Sequence, residues 1–159
     1  MRVAVLTISD AASRGDRRDA SGDVIVAWAE ARGTQVSERA LVPDESNLIV
    51  PVLLAWCDTD MADLVLTTGG TGLSPRDITP EATRAVIERE APGIAERLRV
   101  TAMERFPRAA LSRGLAGVRN RSLVVNLPGS PGGVRDALAA LDPIIDHAIQ
   151  IVRGHPTDH

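Results

Sequence analysis

The sequence predicts a single-domain, three-layer α/β/α protein with a mostly parallel central sheet and one antiparallel edge strand or hairpin. Three observations predict it. The runs Val3–Ile8, Leu64–Leu66 and Leu123–Leu127 are apolar with almost no alternation, as strands buried on both faces require. Segments with apolar residues at helical spacing separate them. Two of the runs lead into glycine-containing loops that open helices, the connection found beyond the carboxyl ends of parallel strands.

Each element follows in order. Val3–Ile8, with Thr7 its one polar residue, forms the first strand. A polar stretch from Ser9 to Ala20 carries Arg14, Gly15, Arg17 and Arg18. Ser21 or Asp19 caps the next helix, where Val24, Ala27, Trp28 and Ala31 recur at helical spacing and Gly33 ends the run. Residues 35–42 form a more polar strand nearer an edge, and Pro43–Ser46 is a loop. Ile49, Val52, Leu53 and Trp56 share a helix face; Pro51, lacking a backbone donor, predicts a late start or a kink. Residues 63–68 make the third strand. Thr79-Pro80-Glu81 reads as a helix start, with Thr79 as cap, Pro80 at the first position, and Val86 and Ile87 buried. Pro92-Gly93 interrupts; Ile94, Leu98 and Ala102 mark a helix that Pro107 stops. A hairpin joins 116–119 to 122–127 through Asn120-Arg121. Val134, Ala137, Leu138 and Leu141 mark the last helix, broken at Pro143 and resumed from Ile145 to Val152. The domain spans 1–153, and residues 154–159 are expected to fray.

Composition narrows the function. The 159 residues fit one domain, and 44% hydrophobic with 25% charged residues is a globular composition. A net charge of −3 and 2% aromatics, with no Tyr, argue against tracking or stacking nucleic acid. All 18 basic residues are Arg, which excludes any Walker A, Schiff-base or kinase-type lysine. Any protein cation on a phosphate must therefore be an arginine. Cys57 is the one cysteine, which fits a reducing compartment and reads as a buried, inert thiol. The longest apolar run, Leu48–Cys57, contains Pro51 and is too short to span a bilayer; the apolar N-terminus is too short for a signal peptide. A soluble, cytoplasmic protein with neither membrane nor nucleic-acid partners is expected.

The chemistry concentrates in the run Thr67-Thr68-Gly69-Gly70-Thr71-Gly72-Leu73-Ser74-Pro75-Arg76-Asp77-Ile78-Thr79-Pro80-Glu81. A glycine-rich turn between strand and helix presents bare N–H groups to phosphate. Asp77 in the same turn coexists with phosphate if a cation such as Mg²⁺ bridges them. The second loop, Pro128-Gly129-Ser130-Pro131-Gly132-Gly133, is a candidate for the same pocket. Asp44 also follows a strand and pairs with Asp77 as a candidate carboxylate for Mg²⁺ or substrate orientation. Tight αβ connections need glycine for backbone reasons alone, and Asp44 by itself suits a solvated loop, so these features in isolation leave the ligand open. Arg76, Arg113 and Arg119 are candidate phosphate contacts. His147, His155 and His159 lack metal-ligand spacing, and no G-x-G-x-x-G or G-x-S-x-G is present.

At these residues the sequence resembles the molybdopterin adenylyltransferase family (MogA/MoaB type, related to the N-terminal domain of gephyrin). The resemblance rests on Thr67–Gly72 with Arg76–Glu81, on Ser112-Arg113 with Ala116-Gly117-Val118, and on Asn126–Gly132. Weaker blocks at Asp19–Gly22 and Pro43-Asp44-Glu45 extend it over nearly the whole chain. It implies Mg²⁺-dependent transfer of AMP from ATP to the terminal phosphate of molybdopterin, with release of pyrophosphate. Asp44 and Asp77 would be the essential carboxylates, through Mg²⁺ or substrate orientation. Thr68, Gly69, Gly70, Thr71, Gly72, Pro128, Gly129 and Ser130 would line the nucleotide and phosphate region. Ser112 and Arg113 would face the pterin phosphate. A homotrimer and hand-over to a molybdate-insertion enzyme are implied too. A molybdopterin carrier or scaffold without transfer activity, and a phosphate-ligand module with another substrate, are the alternatives.

Overall fold

A computed structural model describes residues 1–156. Six strands form one sheet: β1 (Arg2–Ile8), β2 (Gln35–Val42), β3 (Leu64–Thr68), β4 (Arg89–Glu90), β5 (Ala116–Arg119) and β6 (Ser122–Leu127). Their order is β2-β1-β3-β6-β5-β4. The first four in that order run parallel; β5 and β4 are antiparallel additions at one edge. The helices are α1 (Asp10–Ser13), α2 (Ala20–Ala31), α3 (Ser46–Asp58), α4 (Thr79–Val86), α5 (Pro92–Met103) and α6 (Pro131–Val152), with a 3₁₀ turn at Pro107–Leu111.

Two cores sandwich the sheet, and the pleat sorts side chains between them. Val3 and Val5 of β1, Leu64 and Leu66 of β3, and Leu123, Val125 and Leu127 of β6 pack with α2, α5 and α6. Ala4, Leu6, Ile8, Val65 and Val124 face α3 and α4. Burial on both faces is what makes these strands read as unbroken apolar runs. β2 is an edge strand with no fully buried residue, matching its polar sequence. The hairpin between β5 and β6 turns at Asn120, whose φ of 51° is the left-handed conformation Asn tolerates.

Five local expectations are corrected. α3 begins at Ser46 and runs through Pro51, so the late start is not found. Pro51 and Asn47, whose carbonyl loses its helical donor, are both exposed to water. α6 is likewise continuous through Pro143, where the released carbonyl belongs to exposed Ala139. Pro92 and Gly93 are the first turn of α5 rather than an interruption, since proline at a helix start gives up a donor that has no partner there. The polar stretch after β1 contains the single-turn α1, capped by Ser9 through the Ala12 N–H. Thr79 does not cap α4; its hydroxyl donates to the Gly69 carbonyl at 2.9 Å. Asp19, by contrast, caps α2 as expected, accepting from the Gly22 N–H at 2.9 Å.

At the C-terminus, the Gly154 and His155 N–H groups bond back to Ile151 and Gln150. Residues 157–159 of the tail expected to fray, His159 among them, lie outside the described residues. Among the described residues no helix is long and apolar enough to cross a membrane.

Candidate functional site

Parallel pairing places the ends of β1, β2, β3 and β6 at one level. Ile8 pairs with Val42, Thr7 with Thr68, and Thr68 with Leu127. The loops after all four strands therefore meet above one edge of the sheet, bringing Asp44, Asp77 and both glycine loops together as the sequence predicts.

The glycine loop has a specific orientation. Gly69 and Gly70 have φ of 98° and 65°, and the chain there turns its carbonyls back into the protein. The Thr79 hydroxyl bonds the Gly69 carbonyl, and the Thr79 N–H bonds that of Gly70 at 3.1 Å. The Arg113 N–H takes the Thr71 carbonyl and its Nε the Gly72 carbonyl, both at 2.8 Å. Four consecutive acceptors are thereby occupied from behind. A peptide carbonyl and the next N–H point in opposite senses, so the loop offers its donors to the crevice.

The second loop is tied to the first: the Thr68 hydroxyl donates to the Pro128 carbonyl at 2.6 Å. Ser130 caps α6 by accepting from the Gly133 N–H at 3.1 Å, so a 22-residue helix aims its N-terminus at the crevice. Beneath both loops, Asn126 is buried and fully bonded. Its amide donates to the Thr67 and Thr83 hydroxyls at 2.9 Å, and its carbonyl accepts from the Leu115 N–H at 3.2 Å.

The two carboxylates sit on either side of the glycine loop. A Cβ built on Gly70 would lie 2.9 Å from Asp44 Oδ1, and one on Gly72 would lie 2.8 Å from Asp77 Oδ2. Asp77 is held by the Ser74 N–H at 3.0 Å. Asp44 accepts from the Asp10 N–H at 2.9 Å, while Asp10 accepts from the Asp44 N–H at 3.0 Å. Burial pushes the Asp44 carboxyl above the ordinary range, and the charges of Asp10 and Asp77 push it the same way. Asp10 is held low by the guanidinium of Arg76, which grips both its oxygens at 2.9 Å.

Two cavities flank this ridge and share Gly70, Asp77, Gly129 and Ser130. One, of about 690 Å³, is the more polar of the two and is walled by Ser9, Arg17, Arg18, Asp19, Asp44 and Gly69. The other, of about 600 Å³, lies between α5 and α6 and is lined by Leu98, Ala102, Phe106 and Leu111 with Ser112, Arg99 and Arg108. Arg99 donates to the Gly114 carbonyl at 2.7 Å, and the Arg108 guanidinium stacks 4.9 Å from the Phe106 ring centroid. The sequence singles out neither arginine: nothing in the spacing of α5 tells which of its arginines faces the crevice, and Arg108 lies in the short 3₁₀ turn, which carries no helical pattern.

The three arginines singled out lie elsewhere. Arg76 is taken by Asp10. Arg113 is absent from the lining of both cavities; besides Gly72 it bonds the Asp77 carbonyl at 2.5 Å and pairs with Glu81, whose carboxyl it holds low. Arg119 pairs with Asp58 and bonds the Val86 carbonyl, away from the strand ends that carry the loops.

Comparison with known proteins is consistent with this geometry. Residues 4–147 match the family described as a probable molybdopterin binding domain. The chain belongs to that family. A Helicobacter pylori protein named molybdopterin adenylyltransferase is 41% identical over 157 residues, covering 98% of this chain and 89% of that protein. Gephyrin of Dictyostelium discoideum is 37% identical over 97% of this chain, which corresponds to 23% of gephyrin. The crystal structure of the molybdopterin biosynthesis enzyme MoaB from Thermus thermophilus is 48% identical and superposes with a TM-score of 0.92, covering 99% of each chain. Both glycine loops, Asp44 and Asp77 lie within the matched span, as does the sheet apart from Arg2 and Val3 at the start of β1.

Among the described residues no group of three or more His, Cys, Asp or Glu side chains could hold a metal ion. Asp44 and Asp77 fit a looser demand. Mg²⁺ is commonly held by one or two carboxylates with substrate phosphates completing its shell, and the excess negative charge at Asp44 suits such an ion.

Proposed function

We propose that the crevice transfers AMP from ATP to the terminal phosphate of molybdopterin, releasing pyrophosphate, in molybdenum cofactor biosynthesis. The observation that carries this is the glycine loop, with four carbonyls bonded from behind, set between two carboxylates at the junction of two cavities. Two phosphate-bearing substrates need two anion-binding compartments that meet at the reacting atom. The name of the Helicobacter pylori relative supports the same reaction.

Phosphoryl chemistry of this kind is mainly positioning and charge neutralisation, which suits a site without lysine. The N–H groups of Gly70, Thr71 and Gly72 and the N-terminus of α6 would hold the phosphates. Asp44 and Asp77 would hold Mg²⁺, which when bound supplies positive charge between phosphates and carboxylates. Thr68, Gly69, Pro128, Gly129 and Ser130 shape the floor. Ser112, with Arg99 and Arg108, would face the pterin side, where apolar walls suit a flat ring. Arg113 would act by holding the glycine loop rather than by touching phosphate. Family membership also supports a cytoplasmic homotrimer that passes its product to a molybdate-inserting enzyme.

The test is incubation of the purified chain with molybdopterin, ATP and Mg²⁺, with adenylylated molybdopterin and pyrophosphate as products. Pterin binding without any product would overturn transfer in favour of a carrier, and nucleotide binding with no response to molybdopterin would point to another substrate.

A further inference from the structure

The geometry points to Arg76 and Asp10 as a positioning pair that sets the Asp44 carboxylate for the reaction by tying together the loops of three neighbouring strands. Asp10 follows β1, Asp44 follows β2 and Arg76 follows β3, and these strands lie side by side in the order β2-β1-β3. Asp10 and Asp44 exchange main-chain N–H groups for each other's carboxylates at 2.9 and 3.0 Å. Arg76 grips the same Asp10 carboxylate in bidentate fashion, Nε on Oδ2 and Nη2 on Oδ1 at 2.9 Å each, so that Oδ1 accepts from both Arg76 and the Asp44 N–H.

Each link has one direction of effect. The Asp10 N–H fixes Oδ2 of Asp44, which turns Oδ1 toward Gly70. Without Arg76, Asp10 would present a bare carboxylate beside Asp44, and like charges so close drive side chains apart. Arg76 is one residue from Asp77, so the same grip also fixes where the glycine loop re-enters the protein. The pair is a poor stabiliser of the fold: the Arg76 side chain is 58% exposed and that of Asp10 25%. Exposed ion pairs contribute little to stability, so what remains is alignment. Among the described residues the Arg76 guanidinium bonds no side chain but Asp10, and it is absent from the lining of both cavities, which makes it a positioning residue rather than a phosphate ligand.

This inference rests on the adenylyl-transfer reading of the site, and its test separates the two. Arg76→Ala, Arg76→Lys, Asp10→Asn and the double variant Asp10→Asn/Arg76→Ala are assayed for kcat and for KM of each substrate, with Tm as a folding control. Misplacing one reacting group lowers kcat by about ten- to a hundredfold, and that loss is expected for Arg76→Ala with the KM for molybdopterin unmoved. Arg76→Lys recovers part of the loss, because one ammonium cannot span both oxygens. The double variant is no slower than the slower single variant, since both act through one contact. In parallel, hydrogen exchange at the Asp10 and Asp44 amides quickens in Arg76→Ala while the sheet amides stay protected.

Losses that multiply in the double variant would overturn the inference, because Arg76 would then touch substrate directly. An unchanged kcat, or unchanged exchange at the two amides, would overturn it as well. If wild-type chain forms no product, the adenylyl-transfer reading fails, and the exchange result alone decides whether Arg76 holds the Asp10–Asp44 pair.

Discussion

Gly129 rests against Gly69: a Cβ built on Gly129 would lie 3.2 Å from the Gly69 Cα. The two glycine loops thus meet backbone to backbone, with no side chain between them. Gly129→Ala is expected to push the loops apart by a few tenths of an ångström. ATP affinity should fall while Tm, measured in the same samples, drops only slightly; unchanged titration calorimetry would show that the separation of the loops does not matter.

Gly70 is more constrained. Its φ is 65°, and a Cβ there would meet Thr79 Oγ1 at 2.3 Å and Asp44 Oδ1 at 2.9 Å. Gly70→Ala is expected to cost about 1–3 kcal/mol of stability, from a strained backbone and an overfilled space. It should also abolish nucleotide binding, and denaturant unfolding with calorimetry checks both.

Asp44 carries a pH-dependent penalty. Its folded-state pKa is raised, by burial first and by the charges of Asp10 and Asp77 next. The folded chain therefore binds this proton more tightly than the unfolded chain. Asp44 favours folding below its unfolded pKa, and that contribution is lost as pH rises through the folded value. Near neutral pH the ionised group works against the fold. Asp44→Asn, which keeps an acceptor for the Asp10 N–H, should have a Tm at or above wild type at pH 7 and lose transfer activity. A lower Tm with activity retained would contradict both halves.

At the opposite edge of the sheet, Asp63 behaves in the other sense. Burial pushes its carboxyl up, but the Arg2 guanidinium and the Arg2 N–H together outweigh this and hold it below the ordinary range. A depressed carboxyl adds stability above its unfolded pKa, near the ordinary 3.8, and that stability is lost as pH falls through the folded value. Asp63→Asn should cost about 1–3 kcal/mol at pH 7 and flatten the acid limb of the Tm–pH curve. Nucleotide affinity should not move.

Cys57 is fully buried, and its thiol is pushed up to about 11, chiefly by burial. It should resist a disulfide exchange reagent at pH 7 in the folded chain and react fully once the chain is unfolded in denaturant.

How much of this is legible in the sequence depends on where the determining contacts lie. β1, β3 and β6 read directly, because two-sided burial leaves its mark on every residue. β4 does not: Arg89 and Glu90 are exposed and carry no pattern. Pairing of the neighbouring Glu88 and Ala91 N–H groups to Val118 and Ala116 holds them in place. The prolines mislead for a related reason. Pro51 and Pro143 remove helical bonds on wet faces, where water replaces the donor, and sequence periodicity alone does not identify those faces as wet. In the site, Asp77 and both glycine loops are marked by their place between strand and helix. Arg113 and Thr79 are harder to read, since their partners are main-chain carbonyls distant along the chain. A hydroxyl at a helix start looks like a cap whether or not it serves as one.

The buried carboxamide of Asn126 has a consequence for alignment. Three partners from three different segments, Thr67, Thr83 and Leu115, converge on one side chain. Sliding β6 by two residues along β3 would keep the pleat and bury similar hydrocarbon, so hydrophobicity alone discriminates weakly against it. It would also strand every one of those polar groups in a dry interior. The amide therefore works as a key that admits a single register, and because Pro128 and Gly69 begin directly after the keyed strands, it fixes the height at which the two loops face each other.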